Sequence, residues 1–235
     1  MQYVKPRSLG ILLLDRGQPP NAAPPTVAHA PMRNPDTFDF PTSYETVDGA
    51  YAENVIRGDP TLEPVCIDAA RRLVEQGAVA ISSNCGFFIR HQAAVAASVK
   101  VPVVMSALLM VPMLLRQLAP PAKLAIVTAD STQCSEDLFG GADTAIRGRV
   151  VLGGIEGGKL WQNEMKLPSI PTDVADIEAD VTACVARLRA AHPETAAVLF
   201  ECAGFPVVAP VIRQMTGLPV YDIATLCRMT FASIA

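Results

Sequence analysis

A chain of 235 residues, half of them hydrophobic and 18% charged, carries enough apolar material for one large folded unit or two modest ones, and it is not a disordered segment. Its net charge of −4 comes with scattered basic residues and no Lys/Arg-rich run. An electrostatic footprint for nucleic acid or an anionic membrane is therefore missing, and the expected partner is a small molecule.

The first apolar run, residues 9–14, reads as a buried strand. It is too short for a transmembrane helix or a signal-peptide core and ends in Asp15-Arg16 with no small-residue cleavage site, so the expected compartment is the cytoplasm. Residues 18–41, heavy in Pro, Ala and Asn, read as a loop, either a lid or binding loop or a plain surface excursion. A helix is expected over 64–76, strands over 78–82 and 101–105, and a helix over 107–118. Strands follow over 124–127 and 150–152, then a helix over 174–191 preceded by Thr172-Asp173 as an N-terminal cap. Strands over 197–200 and 219–221 complete the series. Short apolar runs alternating with helix-length amphipathic segments predict an α/β fold of parallel strands flanked by helices. Six cysteines without CxxC or Cys/His clusters argue for reduced thiols, against a disulfide framework and against a structural zinc site.

The two halves of the chain share a layout. The segment from Leu9 to Asp15 matches that from Leu124 to Asp130, Val79 to Phe87 matches Ala197 to Phe205, and Val101-Pro102-Val103 matches Leu218-Pro219-Val220. The paired aspartates are 115 positions apart, and the paired cysteines, Cys85 and Cys202, 117 apart. Each cysteine directly follows a buried strand, where residues beyond the carboxyl ends of parallel strands face the ligand crevice. If the halves pack about a pseudo-twofold axis, the two thiols face each other across the cleft.

Gly86 follows one thiol and Ala203-Gly204 the other, and small residues let a substrate approach the backbone. Free N–H groups and a helix dipole at these positions would bind a carboxylate or a developing enolate oxygen and would lower the thiol pKa. Two thiols on opposite faces of a flat carbanion allow one to remove a proton and the other to return it, which inverts a stereocentre. Such a site calls for no cofactor and no metal.

The opening strand ending in Asp15, the run Asn34-Pro35-Asp36-Thr37-Phe38-Asp39-Phe40-Pro41, Asn84-Cys85-Gly86-Phe87, Glu201-Cys202-Ala203-Gly204 and Thr216-Gly217-Leu218-Pro219-Val220-Tyr221-Asp222 together resemble the aspartate/glutamate racemase superfamily. That superfamily includes hydantoin racemases, maleate cis-trans isomerases and arylmalonate decarboxylases. The resemblance implies two pseudo-symmetric flavodoxin-like lobes, residues 1–105 plus 216–235 carrying Cys85 and residues 106–215 carrying Cys202. It also implies a catalytic pair Cys85 and Cys202, no cofactor, and a homodimer or higher homo-oligomer. Where amino-acid racemases of that branch carry Asn-Thr after the first cysteine and Thr after the second, this chain has Gly86-Phe87 and Ala203. The run Cys202-Ala203-Gly204 is closer to hydantoin racemases, and Phe87, Phe88 and Phe205 either line a less polar pocket or pack in the core.

Asp15 is expected at the substrate or as a cap, Asp130 as a cap. Asn84, Ser106 and Thr128 end strands on the same edge and join Gly86, Phe87, Ala203 and Gly204 as candidate substrate contacts, with loop capping as the alternative role. His91, two turns beyond Cys85, is not expected to form a Cys–His dyad, and Cys66, Cys184 and Cys227 read as packed helix residues. Residues 153–158 are glycine-rich without a phosphate-loop pattern and read as a flexible turn. The expected reaction is inversion at a carbon next to a carboxyl or carbonyl in an amino acid, another small carboxylate or a hydantoin-like substrate. The alternatives are isomerisation or decarboxylation of a small dicarboxylate, and ligand binding without turnover.

Overall fold

The computed structural model describes residues 7–18, 31–140 and 143–234. Strands β1 (Ser8–Leu13), β2 (Thr42–Thr46), β3 (Ala78–Ser83) and β4 (Val103–Val104) form one sheet. Strands β5 (Lys123–Thr128), β6 (Val150–Gly154), β7 (Thr195–Phe200) and β8 (Val220–Tyr221) form the other. Between and after them run α1 (Ala52–Arg57), α2 (Leu62–Glu75), α3 (Gln92–Ser98), α4 (Val111–Gln117), α5 (Thr144–Arg147), α6 (Lys159–Glu164), α7 (Val174–Ala191), α8 (Ala209–Thr216) and α9 (Ile223–Ala232).

Both sheets are wholly parallel, in the orders β2-β1-β3-β4 and β6-β5-β7-β8. The duplication extends to register. Leu9 pairs with Ala80 as Leu124 pairs with Ala197, and both pairings follow a register shift, after Ser8 in one lobe and after Lys123 in the other. Ile81 pairs with Val103 as Val198 pairs with Val220. Every residue of β1 is buried, as a central parallel strand covered on both faces requires. Helix α2 buries Leu62, Cys66, Ala69, Ala70 and Leu73, a stripe at helical spacing, and keeps its charged residues outside.

Three expectations needed revision, and one strand carries no sequence signal. Strand β2 has the sequence TSYET and lies half-buried at a sheet edge, so it carries no apolar run for periodicity to detect. The expected helix over 107–118 begins as a 3-10 turn, Ala107–Met110, before α4. The glycine-rich run is in part a strand: Gly153 lies in β6 because a Cβ there would come within 2.9 Å of Cys184 Sγ and Leu188 Cδ1 on α7, and only Gly157 takes positive φ. The return to the first lobe also comes later than expected at 216. Strand β8 still pairs with β7, and the crossing is made by α9, which packs against β3 and β4, while α4 crosses the other way onto β5. Each lobe therefore clasps the other with one helix.

One arginine fastens the outgoing crossover. The Arg149 guanidinium donates to the carbonyls of Leu115 (3.0 Å), Leu118 (2.7 Å) and Ala122 (3.0 and 3.1 Å). Its removal strands these carbonyls, two at the end of α4 and one just before β5. Arg149→Ala is expected to lower the unfolding free energy by about 2 kcal/mol in urea denaturation, with the KM of any substrate unchanged.

Of the loop expected over 18–41, residues 19–30 lie outside the described residues. Its described part includes the 3-10 turn Pro31–Arg33 and a stack of Phe38 on Phe40 on Phe231 that ties the loop to α9, with centroids 5.0 and 4.0 Å apart. Among the described residues no helix is long and apolar enough to cross a membrane.

Candidate active site

The duplicated sheets place two cysteines at equivalent ends. Cys85 follows β3 and Cys202 follows β7. The strand ends are fixed by matched backbone bonds, Asn84 N–H to the Leu12 carbonyl and Glu201 N–H to the Val127 carbonyl, both 2.9 Å. Beyond each thiol the chain turns in the same way, with Phe88 N–H on the Cys85 carbonyl and Phe205 N–H on the Cys202 carbonyl, both 3.2 Å. Both cysteines line a single cavity of about 620 Å3 between the lobes, and each is a free thiol.

The electrostatics differ from the sequence expectation. The segments after the thiols are 3-10 turns, Gly86–His91 and Phe205–Val208, rather than the start of long α-helices, so little dipole is aimed at either sulfur. Backbone N–H groups do reach them: Phe87 N–H bonds Cys85, and Gly204 N–H lies 3.4 Å from Cys202 Sγ. These bonds favour the thiolates, but burial outweighs them and pushes both thiols well above the usual range, with the negative charge of Glu201 adding to the effect. Burial thus favours the protonated thiol at both cysteines.

Glu201, absent from the expected site residues, is the least ordinary group at the site. Its carboxyl is fully buried. Oε2 accepts from Thr128 Oγ1 at 2.8 Å and from Ala129 N–H at 3.5 Å, while Oε1 has no hydrogen-bond partner. Burial raises its pKa to about 7, against the lowering effect of the Thr128 and Ala129 bonds and of the Arg90 charge. It presses on the opposite cysteine loop, because a Cβ at Gly86 would overlap Glu201 Oε1 and the Glu201 carbonyl oxygen. The repeat could have exposed it: Glu201 is the counterpart of Asn84, whose Oδ1 accepts from Leu14 N–H (2.8 Å) just as Glu201 Oε2 accepts from Ala129 N–H.

The other expected site residues separate into two groups. Asp15, Asn84, Ala203 and Gly204 line the cavity with the cysteines. Asp15 also holds its own loop, accepting from Gly17 N–H (2.8 Å) and Gly49 N–H (3.1 Å). Gly86, Phe87, Ser106 and Thr128 stand behind the cavity wall instead. Gly86 is the contact point for Glu201, Thr128 is its hydrogen-bond donor, and Ser106 is a buried cap that accepts from Leu108 N–H at 3.3 Å. Phe87, Phe88 and Phe205 are all core residues, the last edge-on to Phe200.

Asp130 caps its loop through Thr132 N–H (3.0 Å) and accepts from Trp161 Nε1 at 3.3 Å. His91 is buried with Nε2 unpartnered, and burial lowers its pKa; it does not line the cavity. Cys66, Cys184 and Cys227 are buried in helices, and Cys134 is buried in the loop after β5. The cavity wall also includes Trp161, Glu164 and Met165 from the α6 region, and Arg16 and Arg33 from the first lobe. Arg16 forms an ion pair with Glu164 across the cleft. These residues sit in polar, weakly periodic stretches, where sequence gives no signal for a wall.

No family model matches the chain. In sequence it is 29% identical over 239 residues to a dimethylsulfoniopropionate lyase of Durusdinium sp. clade D, covering 89% of this chain and 76% of that protein. It is 28% identical over 240 residues to dimethylsulfoniopropionate lyase 3 of Emiliania huxleyi (strain CCMP1516), covering 97% of this chain and spanning only 60% of that relative's length. Among solved structures, allantoin racemase from Pseudomonas fluorescens matches with a TM-score of 0.63 at 18% identity, over 97% of this chain and 90% of that one. Glutamate racemase from Francisella tularensis subsp. tularensis SCHU S4 matches with a TM-score of 0.58 at 12% identity, over 98% and 81%. Two parallel four-stranded sheets, duplicated in order and register and meeting at a cleft, give this chain the fold of the aspartate/glutamate racemase superfamily.

Proposed function

We propose that the protein is a lyase that uses the cysteine pair to take a proton from the carbon next to a carboxylate and expel a leaving group from the neighbouring carbon, with dimethylsulfoniopropionate as substrate. The observation that carries the reading is a cavity shared by Cys85 and Cys202 whose wall has both charge signs and an indole, Arg16 and Arg33 with Asp15, Glu164 and Trp161. A zwitterion with a carboxylate at one end and a sulfonium at the other matches such a wall, and indole faces attract onium groups. The sequence relatives named as lyases of this compound support the choice of substrate.

The chemistry fits the electrostatics of the site. Burial holds both thiols protonated, and a sulfonium cation entering the dry cavity offsets the charge of a thiolate beside it. The thiolate takes the proton from the carbon adjacent to the carboxylate, the electron pair forms the new carbon–carbon double bond, and the carbon–sulfur bond breaks. Dimethyl sulfide leaves neutral and acrylate remains, so the leaving group needs no acid. The Gly204 N–H, on the cavity wall beside Cys202, is the backbone donor available to the carboxylate as it takes on enolate charge.

Purified protein mixed with dimethylsulfoniopropionate is expected to release dimethyl sulfide and acrylate in equal amounts, read by gas chromatography and by proton NMR. Absence of both products across the range from pH 6 to 9 sinks this reading. A second reading, inversion of a stereocentre, is favoured by one specific feature: elimination needs a single base, whereas the fold supplies a thiol to both sides of the cleft. A panel of chiral hydantoins and amino acids in deuterium oxide, scored for label at the inverted carbon, decides between the two.

A further inference from the structure

Glu201 is tied to both cysteines at once, being the residue before Cys202 in the chain and the packing partner of Gly86, the residue after Cys85. Its Oε1 is buried without a donor, although the equivalent position in the first lobe is filled by Asn84, a neutral amide that makes the same backbone bond. A buried carboxyl oxygen left without a donor is costly as an anion and acceptable as an acid. The groups facing this carboxyl are Thr128 and the Ala129 N–H on and after β5, Cys134 in the loop beyond, Arg90 in the 3-10 turn after Cys85, and the two active-site cysteines. Arg90 is the one cation among them. Its Nη2 is committed to the Gln133 and Ile56 carbonyls at 2.7 and 3.3 Å, its Nε is buried without a partner, and it acts on Glu201 through charge without forming an ion pair with it.

Glu201 is buried behind the cavity wall and its charge raises both thiols, so the carboxylate and a thiolate exclude each other. We propose that Glu201 and the cysteine pair share one negative charge, so that a thiolate forms on Cys85 or Cys202 only while Glu201 holds a proton. The exchange balances without any outside reagent: the S–H bond breaks and its electron pair stays on sulfur, while an O–H bond forms on the carboxylate. Glu201 thus acts through the thiols as a positioning residue, and Asn84, fixed in the neutral state, leaves the first lobe without a second store. The inference rests on Cys85 and Cys202 being the reacting pair.

The test reads thiolates rather than turnover. Rates of iodoacetamide alkylation of each cysteine, resolved by peptide mass spectrometry across a pH series, are compared between wild type and Glu201→Gln. The amide keeps the shape and removes the charge. Cys85 and Cys202 are expected to react at least about tenfold faster near pH 8 in the variant, with their profiles displaced to lower pH. Cys66, which is held up by burial and Glu63 rather than by Glu201, is expected to keep its rate. Equal profiles for Cys85 and Cys202 in the two proteins overturn the proposal, and so does a common acceleration of all cysteines, which would report loosening of the fold.

Because the amide variant could fail to fold, a second measurement uses the unaltered protein. The infrared carbonyl band of a buried carboxylic acid is expected to fade as pH rises through about 7, and a band absent on the acid side overturns the proposal. Either result stands apart from the lyase reading, which fails only if the substrate is not turned over.

Discussion

Cys85→Ala and Cys202→Ala are each expected to lower turnover of dimethylsulfoniopropionate by about a thousandfold or more while leaving the fold intact. The sulfurs lie on a cavity wall rather than in the packed core, so truncation enlarges a space that is already open. The loss of stability is expected to stay below about 1.5 kcal/mol. Both variants are needed because the duplicated strand ends are geometrically alike while their neighbours are not: Cys85 follows a neutral amide and Cys202 follows a carboxyl that burial holds near neutrality in pKa, at about 7. The thiol that serves as base gives the larger fall, and its partner, which holds the carbanion as a hydrogen-bond donor, the smaller. Steady-state release of dimethyl sulfide by the two variants, with their urea midpoints as a control, checks both statements.

The second large effect is expected at a glycine. Gly86→Ala inserts a methyl group into the Glu201 carboxyl and the Glu201 carbonyl oxygen, a collision with backbone that side-chain rotation cannot relieve. The substitution is expected to destabilise the protein by about 3 kcal/mol, a fall in Tm of roughly 8 °C, and to abolish activity by prising the two cysteine loops apart. Gly204→Ala provides the contrast. There the new Cβ meets only Leu160 Cδ2 at 3.5 Å and Cys202 Sγ at 3.6 Å, with ordinary backbone angles, so stability should change by less than about 0.5 kcal/mol. Thermal melts of the two variants side by side decide the matter. An unaffected Gly86→Ala protein would mean that the loops are not in contact.

Much of this architecture is legible in the chain itself because the repeated layout leaves paired landmarks. The offsets linking Leu9 to Leu124 and Cys85 to Cys202 return in the structure as identical strand order and register. What stayed hidden follows from what periodicity cannot carry. Strand β2 is polar and half-buried, so its pairing to β1 is decided by tertiary contact rather than by its own pattern. The sequence predicts helix dipoles aimed at the thiols, but the segments after the cysteines are 3-10 turns and burial dominates.

Glu201 illustrates the opposite case. Its identity was in plain view beside Cys202, but its importance lies in a missing hydrogen-bond partner and a packed glycine, neither of which a sequence displays. Thr128, expected to touch the ligand, serves this carboxyl instead, so one misplaced residue and one overlooked residue have a common explanation.

The most direct test of the account is a crystal structure with acrylate bound in the cleft. The account expects its carboxylate at the Gly204 N–H and its second carbon between the two sulfurs, about 3.5 Å from the one that acts as base. Acrylate bound elsewhere in the cavity, or a cleft in which Cys85 and Cys202 do not flank the same carbon, would contradict it.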